Sequence, residues 1–272
     1  MKRFHLFELE DQEWFPAFIR NFGTDFLQFV SNKADFYQAV VPVIKKGLEK
    51  SGTDTIIDLA SGGGGGWQRL AQHLKPDHPN LKIILTDFYP NIPAFKEMQN
   101  RDRVFDYKTE PINALNVPAQ LKGFRTQFLS FHHFKETEAQ FILQNAVNNK
   151  VPIGIFEGQE RTIGNLIKNL FSPIFILLTT PFIRPFKLSR ILFTYFIPIV
   201  PLFVLWDGVV SVLRTYTPEE MQAMTERLEN GDSYHWEIGT TKEKGILIQY
   251  LLGYPTIAVS YTHLTLPTIY SV

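Results

Sequence analysis

Cysteine is absent from the 272 residues. That excludes disulfides, thiolate metal sites and a cysteine nucleophile. Net charge is missing too, since 27 Lys and Arg offset 27 Asp and Glu. Without a basic excess there is no global case for nucleic acid. No uninterrupted apolar run reaches the roughly 20 residues that a membrane-spanning helix needs. The start, MKRFHLFELEDQEW, meets its acids before any apolar leader core forms. A cytoplasmic location is therefore the expectation. What is plentiful is apolar surface: 44% of residues are hydrophobic and 24 are Phe. The length suits one large domain, or one domain with an insertion.

One stretch organises the rest, TIIDLASGGGGGWQRL at residues 55–70. An apolar strand reaches Asp58, glycines run from Gly62 to Gly66, and a helix pattern resumes at Trp67. Glycine lets backbone approach a ligand closely and tolerates positive φ. The helix that follows presents unpaired N–H groups, a natural anion site. A second apolar strand, 81–86, ends at Asp87. An acid about 20 residues beyond the glycines can accept both hydroxyls of a ribose.

Strands are also expected at 104–107, 127–131 and 152–156, with a helix over 137–148. Strands alternating with helices indicate a doubly wound, mostly parallel sheet. The N-terminal 1–50 reads as a helical cover. Its stripe Phe15, Phe18, Ile19, Phe22 and Phe26 packs on a sheet or covers the site. Asp35 is the expected cap of a second helix, and Pro42 its kink. The core runs 51–162. An apolar insertion at 163–216 breaks the alternation, with prolines interrupting two short apolar runs and Arg184, Lys187 and Arg190 between them. Four readings stay open for it: active-site cover, a hairpin dipping into one leaflet, a subunit interface, or a transmembrane pair. Thr217-Pro218-Glu219-Glu220 starts a capped helix. The strands 234–238 and 246–252, joined by TTKEKG, then form an antiparallel pair completing the core over 217–258. The tail 259–272 resembles a translated adapter sequence and is set aside.

DLASGGGG, Asp87 and the closing strand pair together resemble class I S-adenosylmethionine-dependent methyltransferases. FRTQFLSFHHF and FVLWDGVVSVLRTY resemble a bacterial subgroup of that family with undefined substrate. The resemblance covers about 50–160 and 215–255. It implies a seven-stranded sheet whose last strand is antiparallel, and S-adenosylmethionine as cofactor. It places Asp58, Ala60, Ser61, Gly62, Gly63 and Gly64 at the amino-acid end of that cofactor. Asp87 and Phe88 go to the ribose, Asn113 and Ala114 to the adenine, and Ser130 to the strand end facing the methyl. Ala60 stands where the family often has glycine, and Asn113 where it often has aspartate.

His132 and His133 lie at the carboxyl edge of the sheet, where one can act as general base and the bland alternative is core packing. Two histidines need further ligands for a metal, and no acid nearby in sequence completes a site, so no metal is expected. Glu157, Trp206 and Arg214 are candidate acceptor contacts, with Asp207–Arg214 pairing as the structural alternative. The expected activity is methyl transfer to a small hydrophobic acceptor. The alternatives are a nicotinamide-dependent oxidoreductase and a non-catalytic membrane-surface protein. Peripheral membrane contact, at the inner face, is expected through 165–205. Oligomeric state is left open.

Overall fold

The computed structural model describes residues 1–256. The expected tail 259–272 lies outside the described residues. Seven strands form one sheet: β1 (Thr55–Leu59), β2 (Lys82–Leu85), β3 (Phe105–Tyr107), β4 (Phe124–Phe128), β5 (Ile153–Glu157), β6 (Tyr234–Glu243) and β7 (Ile246–Pro255). Their order is β3-β2-β1-β4-β5-β7-β6. The first five run parallel, and β7 pairs antiparallel with both β5 and β6. This is the doubly wound, seven-stranded arrangement with an antiparallel close that the resemblance implies. The chain leaves β1 towards β2 and β3, then returns to β4 on the other side. That reversal opens a crevice at the carboxyl ends of β1 and β4.

Both faces are covered. On one lie α2 (Val41–Ser51), α3 (Trp67–Leu74) and α4 (Ile92–Arg101), through Ile44, Leu48, Leu70, Leu74, Phe95 and Met98. On the other lie α5 (Glu136–Asn149) and α10 (Pro218–Thr225), through Ile142, Leu143, Met221 and Met224. The expected capping box at Thr217 and Glu220 forms.

Four local expectations shift. β4 starts three residues before the expected 127, because its polar side chains are buried and bonded. Thr126 donates to Asp58, and Arg125 donates to Asn145 Oδ1 at 2.6 Å. Asp35 does not cap a helix; it turns left-handed at φ 50° and meets His73 Nε2 at 2.8 Å. Pro42 sits in the first turn of α2, where its missing N–H costs nothing, and makes no kink. TTKEKG is mostly strand, and only Lys244-Gly245, both at positive φ, make the turn.

The N-terminal helix α1 (Ala17–Lys33) has two working faces. Its apolar face, Ile19, Phe22 and Phe26 with Phe15 just before it, does not pack on the sheet; it packs on Ile176, Ile183, Val200 and Phe203 of the insertion, while Phe18 is half exposed against Phe193. That insertion comprises α6 (Ile163–Leu170), α7 (Ser172–Thr179), the short α8 (Leu188–Ile191) running into a π turn, and α9 (Ile199–Arg214). Asp25 of α1 anchors it, accepting from Arg190 Nη2 at 2.5 Å and Lys187 Nζ at 2.8 Å. The polar face of α1 grips the glycine turn instead. Gln28 donates to the Gly63 carbonyl, and Asn32 donates to the Gly65 carbonyl at 2.6 Å.

Candidate functional site

A cavity of about 760 Å³ opens at the β1–β4 crevice. Its floor is the glycine turn. Gly62 and Gly64 have φ of 54° and 92°, and a Cβ on Gly64 would stand 2.0 Å from Met98 Sδ. Only glycine fits there. Ala60 and Leu129, which follow β1 and β4 directly, are also left-handed at φ 53° and 48°. Two strained non-glycine residues at neighbouring strand ends mark the site.

Asp58 sits under this turn. Its Oδ2 accepts from Ser61 Oγ at 2.6 Å and its Oδ1 from Thr126 Oγ1 at 2.8 Å. Burial pushes its carboxyl up to about 7, against those hydrogen bonds. Asp58 thus tethers the loop, and it also lines the cavity with one acceptor site left on each oxygen. Asp87 is placed as expected. Its Oδ2 accepts from Gly62 N at 2.7 Å and its Oδ1 from Tyr89 N at 2.7 Å. Burial raises its pKa. Each oxygen retains a lone pair for a further donor. Ala60, Ser61, Gly62, Gly63, Phe88, Asn113, Ala114 and Ser130 all line the cavity. Gly64 lies behind it, bonded to the Ser61 carbonyl at 2.7 Å. Asn113 accepts from Leu115 N at 2.9 Å. Ser130 Oγ is buried without a partner.

The histidines take different roles. His132 is fully buried, and its Nδ1 lies 2.9 Å from Glu157 Oε2. Glu157 also accepts from the backbone N–H groups of Phe131 and His132. Neither side chain lines the cavity, so Glu157 is a correction: it fixes the 131–133 turn instead of meeting an acceptor. His133 does line it. Its Nδ1 lies 2.7 Å from Asp11 Oδ1 and 2.9 Å from Glu8 Oε2, and its Nε2 3.6 Å from Glu10 Oε1. Glu8 and Asp11 outweigh burial and hold this imidazole well above its usual pKa. His133 therefore carries a proton at neutral pH and is no free base on its own.

Trp206 and Arg214 also depart from expectation. Trp206 is outside the cavity, donating to the Phe7 carbonyl at 3.1 Å. Arg214 reaches the wall, but its donors are spent on Asp11 Oδ2 at 2.8 Å, the His132 carbonyl at 3.1 Å and the His133 carbonyl. Asp207 does not pair with it; Asp207 accepts from Leu9 N at 2.7 Å and Glu10 N at 3.0 Å. Those two bonds pin the N-terminal segment across the site.

That segment supplies the residues the sequence reading missed. Glu8, Glu10 and Asp11 lie in ELEDQEW, which reads as a polar start and carries no spacing signal. Glu8 is pulled down to about 2 by its cationic neighbours, against its burial. Glu10, at the cavity wall, is pushed up to about 8 by burial and the acids around it. Glu8 also supplies the acid that a two-histidine metal site lacked, with ligand atoms of Glu8, His132 and His133 within 4.8 Å of one another. The Arg214 guanidinium, 3.4 Å from Glu8 Oε1, already balances that carboxylate.

No family model matches the chain, and no curated protein sequence matches it. Solved structures do. Human N-acetylserotonin methyltransferase in complex with SAM aligns at 14% identity and a TM-score of 0.49, over 85% of this chain and 55% of its own. Magnesium protoporphyrin IX methyltransferase from Synechocystis with bound SAH aligns at 12% identity and 0.43, over 81% and 84%. A pericyclic reaction enzyme aligns at 13% and 0.42, over 74% and 43%. The chain spans just over half the length of the human enzyme. At these identities and scores the likeness carries no argument, and fold and chemistry rest on this chain's own sheet and cavity.

Proposed function

We propose that the protein binds S-adenosylmethionine in this cavity and transfers its methyl group to a small hydrophobic acceptor. The observation that carries the reading is Asp87. It stands at the end of β2 beside the glycine turn, fixed by two backbone N–H groups with lone pairs to spare for two ribose hydroxyls. The backbone of Gly62 and Gly63 lines the same floor, and buried Ser130 Oγ supplies an unspent hydroxyl. Asn113 and Ala114 wall the adenine end. The bound cofactor would supply a methyl on a positively charged sulfur. Asp11, ionised at neutral pH, favours positive charge in the cavity, and Glu10 joins it once it ionises.

The far wall, with Leu6, Phe7, Leu27 and Phe134, suits an apolar acceptor. His133 and Glu10 handle the proton there. Asp11 and Glu8 hold His133 by Nδ1, leaving Nε2 towards Glu10. With the methyl supplied by the bound cofactor, the Glu10 carboxylate would take the acceptor's proton. A carboxyl raised towards neutrality is a competent base at mildly alkaline pH. Calorimetric titration tests the reading. S-adenosylhomocysteine should bind, NADH should not, and Asp87→Ala should abolish the heat. NADH binding with no response to S-adenosylhomocysteine would overturn it in favour of an oxidoreductase. Product release across an acceptor panel should show a rising limb near pH 8 that Glu10→Gln removes.

A further inference from the structure

The insertion leaves an apolar surface that nothing among the described residues covers. Leu178, Phe182, Leu188, Phe196 and Leu202 are all more than 60% exposed. Exposed patches of this extent mark contact with another apolar phase. The charge on the segment is one-sided. Residues 163–206 contain no Asp or Glu, and carry Lys168, Arg184, Lys187 and Arg190. Arg190 and Lys187 turn inward to Asp25, whereas Lys168 and Arg184 are exposed. No single helix is long and apolar enough to cross a membrane; the two helix pairs bend by 41° and 75°. Bent helices with one face packed on α1 and the other bare suit a layer the depth of a lipid interface, and cations suit its anionic headgroups.

The surface leads to the cavity. Trp206, at its edge, packs against Phe7 with ring centroids 5.4 Å apart, and Phe7 and Leu6 line the cavity. We infer that residues 163–206 dock on an anionic lipid bilayer and turn the cavity mouth towards it, so that the acceptor is a molecule carried in that bilayer. The last clause rests on the methyl-transfer reading above; the docking does not.

The full chain should float with vesicles of phosphatidylcholine plus phosphatidylglycerol, and less with phosphatidylcholine alone. Lys168→Glu with Arg184→Glu should weaken partitioning about fivefold or more per cation. Leu178→Ser, Phe182→Ser, Leu188→Ser and Phe196→Ser together should abolish flotation yet keep S-adenosylhomocysteine binding, which shows the variant folded. In a Trp14→Phe background, brominated acyl chains should quench tryptophan emission, and Trp206→Phe should remove that quenching. Wild type that stays unbound to both vesicles overturns the docking. So does a dimer without vesicles that the serine variant dissolves, since a second copy then covers the face. Quenching unchanged by Trp206→Phe overturns the placing of the mouth. Flotation without S-adenosylhomocysteine binding would sink the cofactor reading and leave the docking standing.

Discussion

Phenylalanine meets opposite fates in two halves of this molecule. In the core around the sheet, Phe95, Phe124, Phe131 and Phe156 are fully buried; in the insertion, Phe182 and Phe196 are 66% and 76% exposed. Residue type is shared, so the difference lies in available partners. Each strand of the core has helices on both faces, and each helix has the sheet. The insertion has only the aromatic face of α1, which covers Ile176, Ile183, Val200 and Phe203 and leaves the outer side bare. An apolar run thus marks a surface that leaves water, without saying what it leaves water for.

The contrast can be broken by experiment. Phe156→Ala should cost about 3–5 kcal/mol of stability, read by denaturant unfolding, because the cavity it leaves is closed on all sides. Asp25→Asn should cost nearly as much, about 3 kcal/mol, since it strands the buried Arg190 guanidinium. Its signature is local: limited proteolysis should cut within 163–206 while the sheet core survives. Asp87→Ala should weaken cofactor binding about 30- to 100-fold, the loss of hydrogen bonds to a charged acceptor. Stability should also fall as pH rises from 6.5 to 8. His133 is raised and loses its stabilising proton as pH climbs; Glu10, Asp58 and Asp207, raised to about 8, 7 and 7, bind more protons folded than unfolded. Glu8 and Asp11 are lowered and already ionised there, so they add no slope. Thermal melts should show the decline, and Glu10→Gln should flatten part of it. Phe182→Ser should change stability by no more than about 0.5 kcal/mol. A large loss there would mean that the face is covered after all.

The glycine turn, Asp87 and the strand alternation were legible because their signals are local: a period, a run of glycine, an acid one βαβ unit away. Asp58 was legible as a residue at the foot of the glycine loop, but its partner Thr126 was not, because Thr126 lies on a strand whose polar letters look like loop. Glu157 and Trp206 looked like acceptor contacts because both follow or flank apolar segments near the right edge. Which way each turns depends on the 131–133 turn and on Phe7, neighbours far away in sequence.

By itself the sequence determined the strands, their alternation with helices and the edge where the glycine turn and Asp87 meet, since turns and periodicities act over a few residues. Tertiary structure alone decided how Glu8, Glu10 and Asp11 meet His133 and Arg214. Those side chains converge from opposite ends of the chain, Arg214 reaching Asp11 across 203 residues. It also decided which phenylalanines stay in water. Long-range charge pairing and the supply of covering surface are properties of the packed molecule, and no stretch of chain carries either one alone.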